Sequence, residues 1–367
     1  MSTTSQDRPV AGLAGAASAD QGGGILELFQ REPFAVALFT VVIFSMPLWI
    51  PVLGGYEGLA TLIVIWGIFV LGFDILLGFT GYLSFGHAAF FGGAAYVTGF
   101  MYRDVSDSVV AAFVVSQAGT LVLAVIIGLL AMRRTGIYFS ILTLAFAEML
   151  FAAALSIFAP ITGGYDGMTR LQEPSLFGLQ MEGLTIFYIA AAMLVVGYAM
   201  ALRVRKSPFG VMLRAIKENP MRLEYTGINV WRYKMAAFII SAHYAGVAGF
   251  LMVTYEPYVA TKFLHWSTSG EVVIMSVIGG VGTLVGPIIG AGFVLYFQNV
   301  VQAVIGEQWR LILGLVFVCV VAFLPGGFVD LARMAWKATG HRIRARRRNV
   351  PDMEVTETKY GSEEQLR

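Results

Sequence analysis

Residues 78–96, GFTGYLSFGHAAFFGGAAY, take over from an apolar run that begins near residue 58 and break it with glycines at 78, 81, 86, 92 and 93. The run from 58 to 79 alone is long enough to cross the hydrocarbon of a bilayer, which takes about 20 residues. Glycine weakens a helix and lets backbones approach closely. At membrane depth such backbone is tolerated only where it is buried in protein or lines a cavity. Thr80, Tyr82, Ser84 and His87 place polar groups inside the break. The stretch therefore points to an all-α, polytopic transmembrane bundle with glycine-broken helices, whose free backbone groups border a polar pathway. The bland alternative is tight small-residue packing around a satisfied histidine. Taken alone, His87 fits that alternative better; taken together, the stretch fits pathway lining.

Outward from this break the chain remains apolar. Hydrophobic residues make up 57% of the 367, and the mean hydropathy is +0.73. Apolar runs give about ten spans, at 34–52, 58–79, 84–102, 108–132, 135–159, 184–202, 235–255, 271–284, 287–305 and 310–325. The third and eighth are glycine-broken and read as re-entrant or half helices. With both termini cytoplasmic, inside segments carry 21 Lys and Arg and outside loops carry four, as the positive-inside rule requires. Residues 1–33 form a cytoplasmic N-terminal segment, disordered over 1–24. Residues 34–330 form the membrane domain, and 331–367 a basic cytoplasmic tail. The tail's RIRARRRN, so close to a span, reads as an anionic-lipid contact rather than a nucleic-acid site. The first apolar run lacks a cleavage-site pattern and reads as a retained span. Cys319 is the single cysteine and has no intrachain partner.

A second glycine-broken stretch, IGGVGTLVGPIIGAG at 278–292, lies in the other half of the chain. Gly282, Gly286 and Gly290 have the four-residue spacing of close helix packing. Pro287 and the GGVG run break the helix much as residues 78–86 do. One interrupted segment in each half is a pointer to a translocation site, and it adds Gly279, Gly280 and Gly282 to the pathway candidates. The stretch lacks the Gly-Lys-Ser/Thr ending of a phosphate loop. Asp74, Glu148 and His243 are ionisable groups inside spans, where burial in lipid is costly, so each should face protein or water. Glu148, near the middle of its span, is best placed to meet a solute. A hydrogen-bonded structural carboxyl is the competing reading for Glu148 and the favoured one for Asp74, and His243 reads as structural.

Between the sixth and seventh spans lies RVRKSPFGVMLRAIKENPMRLEYTGINVWRYK, residues 203–234. Ser207-Pro208 and Asn219-Pro220 each join a good N-cap to a proline at the first helical position, and Gly227 suits the end of the second helix. Two short capped helices outside the bilayer read as a docking element.

Together these residues resemble the inner-membrane permeases of branched-chain amino-acid ABC importers, the LivM/LivH type. The resemblance covers about 58–330. It is carried by GYLSFGHAAFFG (81–92), TGIYFSILTLAFAE (135–148), TGGYDGM (162–168), SPFGVMLRAIKENP (207–220), TGINVWRYK (226–234) and IGGVGTLVGPIIGA (278–291). TGGYDGM and the single long unit look more like LivM than LivH. The resemblance implies a subunit of an ATP-driven importer in a bacterial or archaeal cytoplasmic membrane, with no ATPase site and no cofactor of its own. Its implied partners are a LivH-like second permease, two ATP-binding cassette ATPases and a periplasmic or surface-tethered binding protein. Residues 219–227 then correspond to the helix that docks on the ATPase, with Glu218 and Gly227 at its ends and Asn219, Pro220 and Arg222 within the coupling set. Arg222 and Leu223 depart from the small residues common there. Branched-chain amino acids are the first substrate expectation, with urea, short amides and other hydrophobic amino acids as competitors. An ion-coupled transporter using Glu148 or Asp74 is the rival from another class. A membrane enzyme is disfavoured, because no nucleophile–base pair or metal-spaced ligand set faces an aqueous boundary.

Overall fold

Two long helices fill the centre of the bundle, and the other elements are arranged around them. In the computed structural model, which describes residues 32–334 apart from 177, 325, 332 and 333, α3 (Glu57–Thr80) and α11 (Val230–Tyr255) are the most enclosed of the long helices. Phe69, Phe73, Leu71 and Leu76 of α3 and Phe238, Phe250 and Leu251 of α11 are fully or almost fully buried. Both helices can be apolar all round because protein surrounds them on every side. The helices that ring them are α5 (Val109–Ala131), α6 (Ile137–Leu155), α8 (Leu184–Lys206) and α13 (Val285–Ile305). Each of these leaves an apolar face outward. Among the described residues these six helices are long and apolar enough to cross a bilayer. The chain is an all-α multi-pass membrane protein, and the expected spans at 58–79, 108–132, 135–159, 184–202, 235–255 and 287–305 coincide with them.

The other expected spans fall on shorter helices. The first is divided into α1 (Glu32–Phe44) and α2 (Met46–Trp49), with Pro47 in the first turn of α2, where it donates no hydrogen bond. The tenth is α14 (Trp309–Phe323). The third and eighth overlap α4 (His87–Phe100) and α12 (Trp266–Gly279), of 14 residues each. At 1.5 Å per residue α12 is about 21 Å long, well short of a hydrocarbon core of about 30 Å, whereas α4 continues without a break into the π-helical Met101–Val105. The chain reaches both through non-helical backbone, at 81–86 before α4 and at 256–265 before α12, apart from a single 3₁₀ turn at Thr261–Leu264. Both broken segments thus pair non-helical backbone with a helix that begins inside the bundle, here called a half helix. α12 starts five residues before the expected span, because its first turn, WSTSG, is polar and hides the start.

α9 (Pro208–Glu218) and α10 (Pro220–Tyr225) form the loop between α8 and α11. Leu213 and Ile216 of α9 are buried, and α9 packs across the ends of α3, α8 and α11. At the opposite end are a π turn at Met101–Val105, a short helix α7 (Ala159–Thr162) and a two-strand hairpin of β1 (Ser175–Leu176) and β2 (Leu179–Gln180). The expected disorder of 1–24 and the basic RIRARRRN lie outside the described residues.

Candidate functional site

The two half helices begin beside each other near the middle of the bundle and run in opposite directions. His87 opens α4, and its Nε2 lies 2.7 Å from Ser241 Oγ, close to the midpoint of the 26-residue α11. Ser241 Oγ donates its own hydrogen to Gly72 O of α3 at 2.7 Å, so His87 Nε2 is the donor in the first bond. The next N–H of α4, on Ala88, donates to Ser269 Oγ of α12 at 2.8 Å, which joins the first turns of the two half helices. From there α4 climbs beside α11 and passes into the π-helical Met101–Val105, where the Tyr102 hydroxyl meets Thr254 Oγ1 at 3.0 Å. α12 descends toward the α9 end. A helix N-terminus carries unpaired N–H groups and a partial positive charge, so beginning one inside the bundle is costly unless acceptors meet it. For α12 they come from two sides. Glu148 of α6 accepts from Trp266 N–H at 3.0 Å, and His265 Nδ1 accepts from Ser267 N–H at 3.2 Å.

Glu148 is half-buried and borders an outward face of α6 formed by Ile141, Ala145, Met149 and Ala152. Trp266 and Ser267 beside it are exposed. A carboxylate, an imidazole and a hydroxyl thus reach the outer face of the bundle at mid-depth. His87 and Ser84, by contrast, are fully enclosed. The His87 ring meets Phe73, Phe90 and Phe238 edge-on, with centroids 5.1, 5.7 and 6.0 Å away. Tyr82 is half-buried, under the ammonium of the buried Lys234 at 4.8 Å and edge-on to Phe139. Ser140 Oγ donates to Leu83 O at 2.6 Å, so the non-helical backbone of 81–86 is held by side chains of neighbouring helices.

The second break closes onto the first. Asp74 is completely buried, and its two carboxylate oxygens accept from Gly282 N–H at 2.6 Å and Leu284 N–H at 3.0 Å. Gly78 lies one turn further along the same face of α3. A Cβ there would sit 2.7 Å from Gly282 Cα, so only glycine admits this approach. Leu284 is held at φ +66°, ψ −46°, which costs a non-glycine residue about 1–3 kcal/mol. The bond from Asp74 fixes it there. Gly279 and Gly290 face backbone carbonyls of Gly286 and Met275, so α12 and α13 pack backbone against backbone. Of the evenly spaced glycines, Gly286 and Gly290 serve helix packing. Gly282 stands in the loop itself at φ +83°.

In the outer loop both start signals are realised. Ser207 Oγ accepts from Gly210 N–H at 3.2 Å, and Asn219 Oδ1 from Arg222 N–H at 3.1 Å. Gly227, at φ +83°, turns the chain out of α10, with its N–H on Glu224 O. α10 presents Met221, 61% exposed, and Tyr225, 85% exposed, four residues apart on one face. Glu218, Asn219, Arg222 and Gly227 are exposed as well.

Residues 55–321 match the protein family described as the permease component of the branched-chain amino acid transport system. The chain belongs to this family. The permease is 25% identical to the high-affinity branched-chain amino acid transport system permease protein LivM of Escherichia coli over 248 residues, 61% of this chain and 57% of that one. It is also 25% identical to LivM of Salmonella typhimurium over 232 residues, 57% of this chain and 54% of that one. A shorter match of 66 residues, 18% of this chain and 20% of the other, joins it at 33% identity to NupQ of Bacillus subtilis, a guanosine ABC transporter permease protein. The permease spans a little over half the length of the LivM relatives it matches. No solved structure matches it.

Three residues in or beside the candidate site carry no mark in the sequence reading. His265 caps α12 from outside the apolar run 271–284, so hydropathy gives no sign of it. Glu271, half-buried on α12, stands at the edge of that run. Lys217 read as one charge among eight in a basic loop. Its Nζ donates to Gly78 O at 3.0 Å, a contact between residues 139 apart in sequence that no local pattern announces.

Proposed function

We propose that this permease is the LivM-like subunit of an ATP-driven importer that moves branched-chain or related hydrophobic amino acids across the cytoplasmic membrane. The loop of α9 and α10 carries the reading. α9 is fixed across the ends of three helices of the bundle, and α10 holds an apolar and aromatic face, Met221 and Tyr225, in the open where a cytoplasmic ATPase can cover it. Glu218, Asn219, Pro220, Arg222 and Gly227 make up this coupling element. Its side of the bundle is cytoplasmic, as are both termini, and the chain crosses about ten times, with the 81–102 and 256–280 segments each crossing as part extended chain and part half helix. The membrane domain is 34–330, and the basic tail rests on anionic lipid.

The solute passes along the mid-depth face of α6 and α12, which a second, LivH-like permease covers on its other side. A carboxylate cannot rest against lipid without cost, so Glu148 supports the choice of this face. There it offers an anionic contact to the ammonium of an amino acid, while Ile141 and Met149 accommodate its side chain. Tyr82 and the Gly280–Gly282 loop border the inner part of the route, and the enclosed Ser84, His87 and Gly279 shape the backbone around it. Two ATPase subunits and a binding protein complete the importer. ATP binding draws the paired loops together and turns the pathway outward, and the binding protein sets much of the selectivity.

Uptake of labelled leucine, urea and guanosine in cells with and without the gene tests the proposal. Loss of uncoupler-resistant, vanadate-sensitive leucine uptake on deletion is the expected outcome. Loss of urea or guanosine uptake alone would change the substrate, and uptake abolished by uncoupler alone would overturn the ATP-driven reading.

A further inference from the structure

We infer that Lys217 is the residue through which the outer loop moves both broken segments at once. The inference rests on the importer reading above and adds a named mechanical link to it. Lys217 is the penultimate residue of α9, and its ammonium donates to Gly78 O in the last turn of α3. Carbonyls at a helix C-terminus have no partner within the helix and attract cations, so the contact is favourable in charge as well as geometry. The aliphatic stem of Lys217 lies against Gly81, where a Cβ would stand 3.3 Å from Lys217 Cγ. Gly81 has φ +76° and closes α3, so lysine and glycine together define where the helix stops and the 81–86 backbone begins.

The carbonyl that Lys217 holds belongs to the residue against which the second break rests. Gly78 touches Gly282 backbone to backbone, and Asp74, four residues earlier on the same face, binds Gly282 and Leu284. A displacement of α9 therefore pulls on the end of α3, and through one turn of that helix on both the 81–86 and the 280–284 backbones. The route is a contiguous set of short contacts ending at a strained residue, Leu284, which makes the 280–284 loop suited to a second arrangement. Lys217 is a positioning residue in this account and touches no solute.

The test uses the full importer in proteoliposomes, with its ATPase and binding protein. Lys217→Met keeps the stem against Gly81 and removes the ammonium. It is expected to co-purify with the ATPase as wild type does and to transport at least about fivefold less leucine per ATP hydrolysed. Lys217→Arg is expected to restore the ratio. A wild-type ratio in Lys217→Met would overturn the inference and leave the importer reading intact, whereas failure of the wild-type chain to bind any ATPase would overturn both. A second measurement needs no variant. Adding the ATPase to the wild-type permease is expected to change amide hydrogen exchange at 78–86 and 280–284 together, and unchanged exchange at 280–284 would overturn the link.

Discussion

Asp74 and Glu148 are both carboxylates within helices of a membrane bundle, yet their surroundings give them different work. Asp74 is sealed, and both oxygens are engaged by backbone N–H groups. In Asp74→Asn one of those N–H groups faces an amide NH₂. The loss of a hydrogen bond to a charged group predicts about 1.5–3 kcal/mol of destabilisation, read as a lower thermal midpoint in detergent. Glu148 is half-buried, with Trp266 N–H as its protein partner. Glu148→Gln keeps an acceptor for that N–H and removes the charge, so its fold should persist while leucine uptake falls at least about tenfold, the loss of one charge-assisted contact. Uptake at the wild-type rate in Glu148→Gln would reduce Glu148 to a helix cap. Sequence alone favoured a structural Asp74, and the geometry gives the reason. His87 is bonded to Ser241, 154 residues away, and the next N–H, on Ala88, is bonded to Ser269, 181 residues away. No local pattern reveals such partners, which is why the histidine's bonding was not legible.

For the elements, what the sequence made legible was hydrophobic length and interruption. The long runs became long helices and the two glycine-broken runs became half helices. α11 and α12 begin five residues before the expected spans, because polar first turns fall outside a hydropathy window although Asn229 and His265 cap them. The direction in which each half helix runs, and the fact that their first turns meet, depend on tertiary contacts alone. Packing of α12 on α13 gives a sharp contrast between two glycines. In Gly290→Ala the methyl meets Met275 O, and overpacking of this kind costs about 1–3 kcal/mol or more. In Gly314→Ala, within the exposed side of α14, nothing lies within 4 Å and better helix propensity predicts a gain of about 0.5–1 kcal/mol. Thermal midpoints of the two variants moving in opposite directions is the expected result. In the outer loop, Met221→Asp with Tyr225→Asp should leave the midpoint unchanged, since both side chains are exposed, and abolish co-purification of the ATPase.

Across the whole molecule, two buried helices hold two half helices that begin together at mid-depth, and an outer loop is tied to the end of one of the long helices. On the proposal above, this arrangement is a device that is moved from one end and opens at its centre. The energy source is the central claim, and it is tested most directly by leucine accumulation in proteoliposomes holding the complete importer and its binding protein. The account predicts accumulation that requires ATP on the α9 side, is blocked by vanadate and is indifferent to collapse of the proton gradient. Accumulation without ATP, driven by an imposed proton or sodium gradient and lost in Glu148→Gln, would contradict it.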